Sequence, residues 1–109
     1  MGLDSYWEVA THMGQLHPEF DPPLQLCGGL FSEHGRGSFR GKVYEDAILE
    51  VTGVSLYQEV IDADTIKAMA AKLDAFRLVE QGLEPDEARD MCRMFTTYAA
   101  TDASLRGWW

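Results

Sequence analysis

The chain has 109 residues, of which 46% are apolar and 25% charged, and this composition is typical of one folded domain and excludes wholesale disorder. Its formal charge of −9 repels phosphate backbones, so we expect no direct binding of DNA or RNA. No apolar run approaches the roughly 20 residues that cross a bilayer, and the chain does not open with a basic segment followed by an apolar one. We therefore expect a cytoplasmic protein without membrane contact. We also expect residues 1–109 to fold as a single domain.

The first predicted element is a half-buried strand over residues 3–11, because Leu3, Trp7 and Val9 lie on one side of an extended chain. A short helix through Tyr6–Met13 is the alternative. The strand would turn the three apolar side chains toward a core.

Residues 14–41 are predicted to form a long glycine-rich loop. Prolines in its first part disfavour helices and strands there, and six of the ten glycines of the chain fall within residues 14–41. A loop of this length is uncommon in so small a domain and is usually functional or disordered. An ordered loop held against the core is favoured by its large apolar residues, Leu24, Leu26, Leu30, Phe31 and Phe39.

A first helix is predicted over residues 42–52, and a second strand over residues 54–61. Gly53 lies where such a helix would stop. The predicted buried face of the helix consists of Val43, Ala47, Ile48 and Val51.

Two further helices follow. The second helix is predicted from Asp62 or Asp64 to about Gln81, since either aspartate can cap a helix and Gly82 can end one. Helical spacing predicts its buried face at Ile66, Met69, Leu73, Phe76 and either Val79 or Glu80. The third helix begins at residues 84–87, with a proline in the first turn and acids at the positive end of the helix dipole. Its expected buried residues are Ala88, Met91, Phe95 and Tyr98.

Together these elements predict a small α+β domain, with about three helices packed on a short two- or three-stranded sheet and a long glycine-rich loop. Cys27 and Cys92 lack the paired spacing of a zinc site, and we expect both to be buried thiols. We assign no metal, no cofactor and no catalytic residue from the sequence.

One stretch carries an unusual charge pattern, and we call residues 27–44 the cationic segment. Residues 1–66 hold eleven acids but only three bases, Arg36, Arg40 and Lys42, which fall within seven positions of one another. Random surface decoration would rarely concentrate all the bases of an acidic half in this way. The pattern indicates a place where the protein holds something negative.

The residue types of the cationic segment suit an anion. Glycines allow free N–H groups to approach a ligand, serines donate hydroxyl hydrogen bonds, arginines bind phosphate or carboxylate through parallel bonds, and aromatic rings offer a flat face to a base. The helix predicted to begin near Lys42 adds partial positive charge. The predicted ligand-binding residues are Gly28, Gly29, Ser32, His34, Arg36, Ser38, Phe39, Arg40, Lys42 and Tyr44.

The spacing of these residues matches neither the phosphate loop of nucleotide hydrolases nor the dinucleotide-binding fingerprint. A plain alternative is a glycine-rich turn whose bases neutralise nearby acids such as Glu33, Glu45 and Asp46, because most charge runs are solvated surface.

Three parts of the chain resemble a family of small bacterial and phage proteins: residues 1–7 (MGLDSYW), residues 38–44 (SFRGKVY) and residues 106–109 (RGWW). The resemblance implies a bacterial or phage origin and carries no activity that can be transferred to these residues. Small acidic phage proteins often bind components of the host's defence machinery, and this analogy implies an anti-defence role.

The first functional hypothesis is a non-enzymatic binding protein for a small anionic ligand, a nucleotide or cyclic nucleotide signal that a phage protein would sequester. The second is an acidic protein–protein inhibitor, whose negative surface covers the basic groove of a host effector as DNA mimics do. The third, ranked last, is a small enzyme that uses His34 on a phosphoester.

We also expect a homo-oligomer. A chain of this length with a long loop has a small core, and a subunit interface would compensate by burying more surface. Trp108 and Trp109 would form a costly apolar patch if they were left in water, so we expect them to pack on the domain, on a second subunit or against a ligand. Of these, a second subunit is favoured.

Overall fold

A computed structural model describes residues 4–8, 38–39 and 41–108 of the chain. It confirms the predicted α+β class, because helices pack on a small antiparallel sheet. In chain order the elements are β1 (Asp4–Glu8), β2 (Ser38–Phe39), α1 (Gly41–Thr52), β3 (Val60–Ile61), α2 (Ala63–Lys72), α3 (Ala75–Glu80), α4 (Pro85–Ala99) and β4 (Ser104–Trp108).

The sheet has the strand order β2-β1-β4-β3, and every neighbouring pair is antiparallel. It therefore has four strands instead of the two or three expected, although β2 and β3 are only two residues long. The last strand in the chain, β4, lies inside the sheet, where Leu105 pairs with both Trp7 and Ile61. The β4 strand thus holds the two ends of the described chain together.

One face of the sheet carries the core, as the alternation along β1 shows. Ser5 and Trp7 are buried, whereas Tyr6 and Glu8 are partly exposed on the other face. Glu8 forms an ion pair with Arg106 of β4 on that outer face. The predicted burial of Trp7 is confirmed.

The Trp7 ring joins the sheet to helix α4. It stacks on Tyr98 with the ring centroids 4.4 Å apart and the planes 6° from parallel. It also meets Phe95 edge to face, with centroids 5.0 Å apart. The buried face predicted for α4 is confirmed at Ala88, Met91, Phe95 and Tyr98.

Helix α1 ends as predicted and faces the core slightly differently. Gly53 has a φ of +78°, which favours glycine, and its N–H donates to the carbonyl of Leu49 at 2.8 Å. Val43 was expected inside but is 48% exposed. The core-facing residues of α1 are Tyr44, Ala47, Ile48 and Val51.

The strand predicted over residues 54–61 is wrong except at Val60–Ile61. The main-chain N–H of Leu56 donates to Glu45 Oε2 at 2.7 Å, and the hydroxyl of Ser55 donates to Glu45 Oε1 at 2.5 Å. A side chain of α1 therefore accepts from the main-chain N–H of Leu56, a donor that a strand would have paired with its neighbour, and the connection is irregular.

The single helix predicted from residue 62 to 81 is two helices, α2 and α3. Asp62 caps α2 as predicted, since its carboxylate accepts from the N–H of Thr65 at 2.8 Å. Leu73 and Asp74 have extended backbone angles, and Asp74 caps α3 by accepting from the N–H of Phe76 at 2.8 Å. The extended backbone at Leu73 and Asp74 therefore breaks the predicted helix, and the second capping aspartate begins α3.

This break changes which residues enter the core. Ile66 and Met69 of α2 are buried as predicted. Phe76 and Val79 of α3 were expected to be buried but are 76% and 39% exposed, and Leu78 fills the core position instead. The expectation failed because it carried the helical spacing of α2 straight through the break.

Cys92 is a free, half-buried thiol, and burial, followed by the charge of Asp74, raises its pKa. Cys27 lies outside the described residues, as do Trp109 and the side chain of Trp108, so their predicted environments stay predictions. Within residues 41–108 and the short strands before them, no helix has both the length and the apolar character needed to span a membrane.

Candidate functional site

The described part of the cationic segment is its carboxyl end, where β2 leads into α1. Ser38 and Phe39 form β2, where Ser38 pairs with Tyr6 of β1. Lys42 and Tyr44 lie in the first turn of α1. The other predicted site residues lie outside the described residues: Gly28, Gly29, Ser32, His34, Arg36 and Arg40.

Two of the predicted site residues belong to the hydrophobic core. Phe39 is 2% exposed and its ring centroid lies 6.3 Å from that of Trp7. Tyr44 is fully buried, and its hydroxyl donates to Glu87 Oε2 of α4 at 2.8 Å. The prediction that Phe39 or Tyr44 offers a ring face to a base is therefore wrong. Their burial instead holds the chain in place on both sides of Lys42.

Lys42 is exposed at the second position of α1, as an anion-binding role requires. It forms no ion pair with any acid in the described ranges. Its ammonium group is thus not taken up by the acids around it that the structure describes.

The electrostatics of the start of α1 differ from those of the other long helices. The first turn of α1 contains no acidic residue, whereas α2 has Asp64 there and α4 has Asp86 and Glu87. The unpaired N–H groups at a helix start carry roughly half a positive charge, which acids in the first turn offset. At α1 this partial charge adds to that of Lys42.

Glu45 is one of the acids that the bases would neutralise if the cationic segment were only a glycine-rich turn, but its carboxylate has other partners. Both of its carboxylate oxygens accept hydrogen bonds from the Ser55–Leu56 connection, and the residue is 9% exposed. These hydrogen bonds to the chain after α1 could not be predicted from the sequence, because a separation of 10 or 11 positions between donor and acceptor matches no local motif.

Most of the described bases outside the cationic segment are paired. Arg93 donates to the fully buried Asp90 at 3.1 Å, Lys67 pairs with Asp102, and Arg106 pairs with Glu8. Asp90 is a second polar core residue that sequence reasoning missed, although an arginine three positions later was a usable sign of it. The bases of the described ranges that stand outside all such ion pairs are Lys42, Lys72 and Arg77.

Among residues of described placement, no group of three or more His, Cys, Asp or Glu could hold a metal ion. Comparisons of the chain with protein-family models, curated proteins and solved structures found no match. The resemblance to small bacterial and phage proteins therefore stays a prediction.

Proposed function

We propose that the protein binds a small anionic ligand without chemical turnover, at the cationic segment and the start of α1. The observation that carries the proposal is Lys42, exposed on an acid-free first turn and unpaired with any described acid. Arg36 and Arg40 precede it by a few residues in the sequence. The three bases and the helix start together favour a group that bears phosphate.

The ligand class is a nucleotide or cyclic nucleotide signal. Burial of Phe39 and Tyr44 removes two stacking surfaces, so the phosphate is expected to supply most of the affinity and the base little. Arginine suits this because its planar fork binds two phosphate oxygens at once. A cytoplasmic protein of bacterial or phage origin with such a site would sequester a nucleotide signal of host defence.

Isothermal titration calorimetry against nucleoside mono- and diphosphates and cyclic nucleotides tests the proposal. We expect at least one ligand to bind more tightly than about 1 mM, and Arg36→Ala and Arg40→Ala each to weaken that binding by 10-fold or more. Lys72→Ala is the matched control, since Lys72 is also exposed and outside the described ion pairs. No binding by the wild type, or equal binding by the arginine variants, would reject the proposal.

A second candidate function is an acidic inhibitor of a basic, nucleic-acid-binding host protein. The observation that favours it is the number of exposed acids in the described part of the chain. They are Asp46, Glu50, Glu59, Asp62, Asp64, Asp74, Glu80, Glu84, Asp86 and Asp102. Such a surface would attract a basic groove strongly at low salt.

The two candidates are separated by one pair of variants in a pull-down from bacterial lysate. An inhibitor should lose its partner when Glu59→Gln, Asp62→Asn and Asp64→Asn are combined, and when the salt concentration is raised. It should keep that partner in the Arg36→Ala/Arg40→Ala variant. Asparagine at position 62 preserves the helix cap, so the triple variant is expected to fold.

A further inference from the structure

Helix α3 presents the most exposed large apolar side chain of the described residues. Phe76 is 76% exposed, and Val79, three residues later on the same helical face, is 39% exposed. Leu78 holds the helix to the core, so this outer face is not needed for folding. Phe76 and Val79 therefore form a small exposed apolar pair on the outer face of α3.

The charges around this face favour a second copy of the chain as the partner. Lys72 and Arg77 offset Asp74 and Glu80, so residues 72–80 are neutral in a chain whose formal charge is −9. Two copies of so acidic a protein repel each other over most of their surface, and a neutral apolar face is where they can approach. A basic partner would instead be drawn to the acidic surfaces.

The outer face of α3 is also complementary to itself. Arg77 and Glu80 are both exposed, and Arg77 forms no ion pair with a described acid. Two α3 helices that meet antiparallel about a two-fold axis would bring each Arg77 toward Glu80 of the partner subunit. The same arrangement would bring each Phe76 toward Val79 of the partner subunit, and a two-fold axis requires this reciprocity.

We propose that α3 is the interface of a two-fold symmetric homodimer. Its contacts are Phe76 with Val79 and Arg77 with Glu80, each made twice. A stable interface buries about 800 Å² on each partner, which is more than a six-residue helix offers, so association is expected to be weak, on the order of micromolar. The proposal is independent of the anion site, because it uses none of the residues of the cationic segment.

Sedimentation equilibrium of the full chain, from about 1 µM to 1 mM, tests the interface. The wild type should show a monomer–dimer equilibrium, and Phe76→Ser should weaken it by 10-fold or more. Tyr57→Ser is the control, because Tyr57 is 43% exposed and lies in the connection between α1 and β3, outside α3, so this variant should leave the equilibrium unchanged. A wild type that stays monomeric, or a Phe76→Ser variant that dimerises as well as the wild type, would overturn the proposal.

Charge reversal tests the pairing itself and separates it from misfolding. Arg77→Glu and Glu80→Arg should each weaken dimerisation, because each places like charges opposite one another across the axis. The double variant Arg77→Glu/Glu80→Arg restores opposite charges and should regain most of the lost affinity. A double variant no tighter than the single ones would contradict the antiparallel pairing.

Discussion

Ser5 and Trp7 combine close packing with unsatisfied polar atoms. Both residues are buried on the inner face of β1, and the Trp7 ring packs between sheet and helix. Ser5 Oγ and Trp7 Nε1 are nevertheless the buried side-chain atoms of the described residues that make no hydrogen bond. A buried polar group without a partner costs about 1–3 kcal/mol of stability.

Replacement of Ser5 by alanine is therefore expected to stabilise the fold. Ser5→Ala removes the unpaired hydroxyl at nearly constant volume, and we expect the free energy of unfolding in urea to rise by about 1 kcal/mol. Ser55→Ala is the comparison, because the Ser55 hydroxyl is bonded to Glu45, and its loss should destabilise the fold. Destabilisation by Ser5→Ala would mean that its hydroxyl is hydrogen-bonded in solution.

Tyr98 makes stability depend on pH in the alkaline range. Burial raises the pKa of Tyr98 from 10.0 to about 12. The folded protein therefore keeps a proton that the unfolded chain loses near pH 10, and this contribution to stability is complete below pH 10 and is lost as the pH rises toward 12. In ultraviolet titration, the difference between the wild type and Tyr98→Phe should show a phenol that ionises near 12. A difference centred at 10 would contradict the burial.

At the scale of elements, the sequence correctly predicts a helix face or a helix end where a single local pattern determines it. The buried face of α4 and the stop of α1 at Gly53 follow from helical spacing and from glycine's conformational freedom. Predictions fail where a side chain competes with the backbone pattern, as Glu45 does after α1 and Asp74 does between α2 and α3. The β4 strand was missed because its pairing partners lie far away in the chain.

The Glu45 contact gives a prediction at this scale. Glu45→Ala leaves the buried N–H of Leu56 without its acceptor and should lower the free energy of unfolding by about 1–3 kcal/mol. Glu45→Gln keeps one acceptor oxygen and should cost clearly less. Both are measured by urea denaturation monitored by circular dichroism. Equal losses in the two variants would show that charge, rather than the hydrogen bonds, is what matters at this position.

At the scale of the whole molecule, charge is unevenly divided. Acids cover the described surface, and most described bases are paired with them. The exceptions are Lys42 in the cationic segment, Lys72 at the end of α2 and Arg77 in α3. The sequence could locate the cationic segment from composition alone. It could not tell which of its aromatic residues face inward, because burial of Phe39 and Tyr44 depends on partners in β1 and α4.

We propose that an external anion binds at the cationic segment, where it runs into the start of α1. The most direct test is a titration of the ¹⁵N-labelled protein with the tightest nucleotide found by calorimetry, followed by amide chemical shifts. We expect saturable shifts at residues 35–43, centred on the amides of Gly41 and Lys42, that disappear in Arg36→Ala/Arg40→Ala. Shifts that fail to saturate by about 10 mM, or that lie on other elements and survive those substitutions, would contradict it.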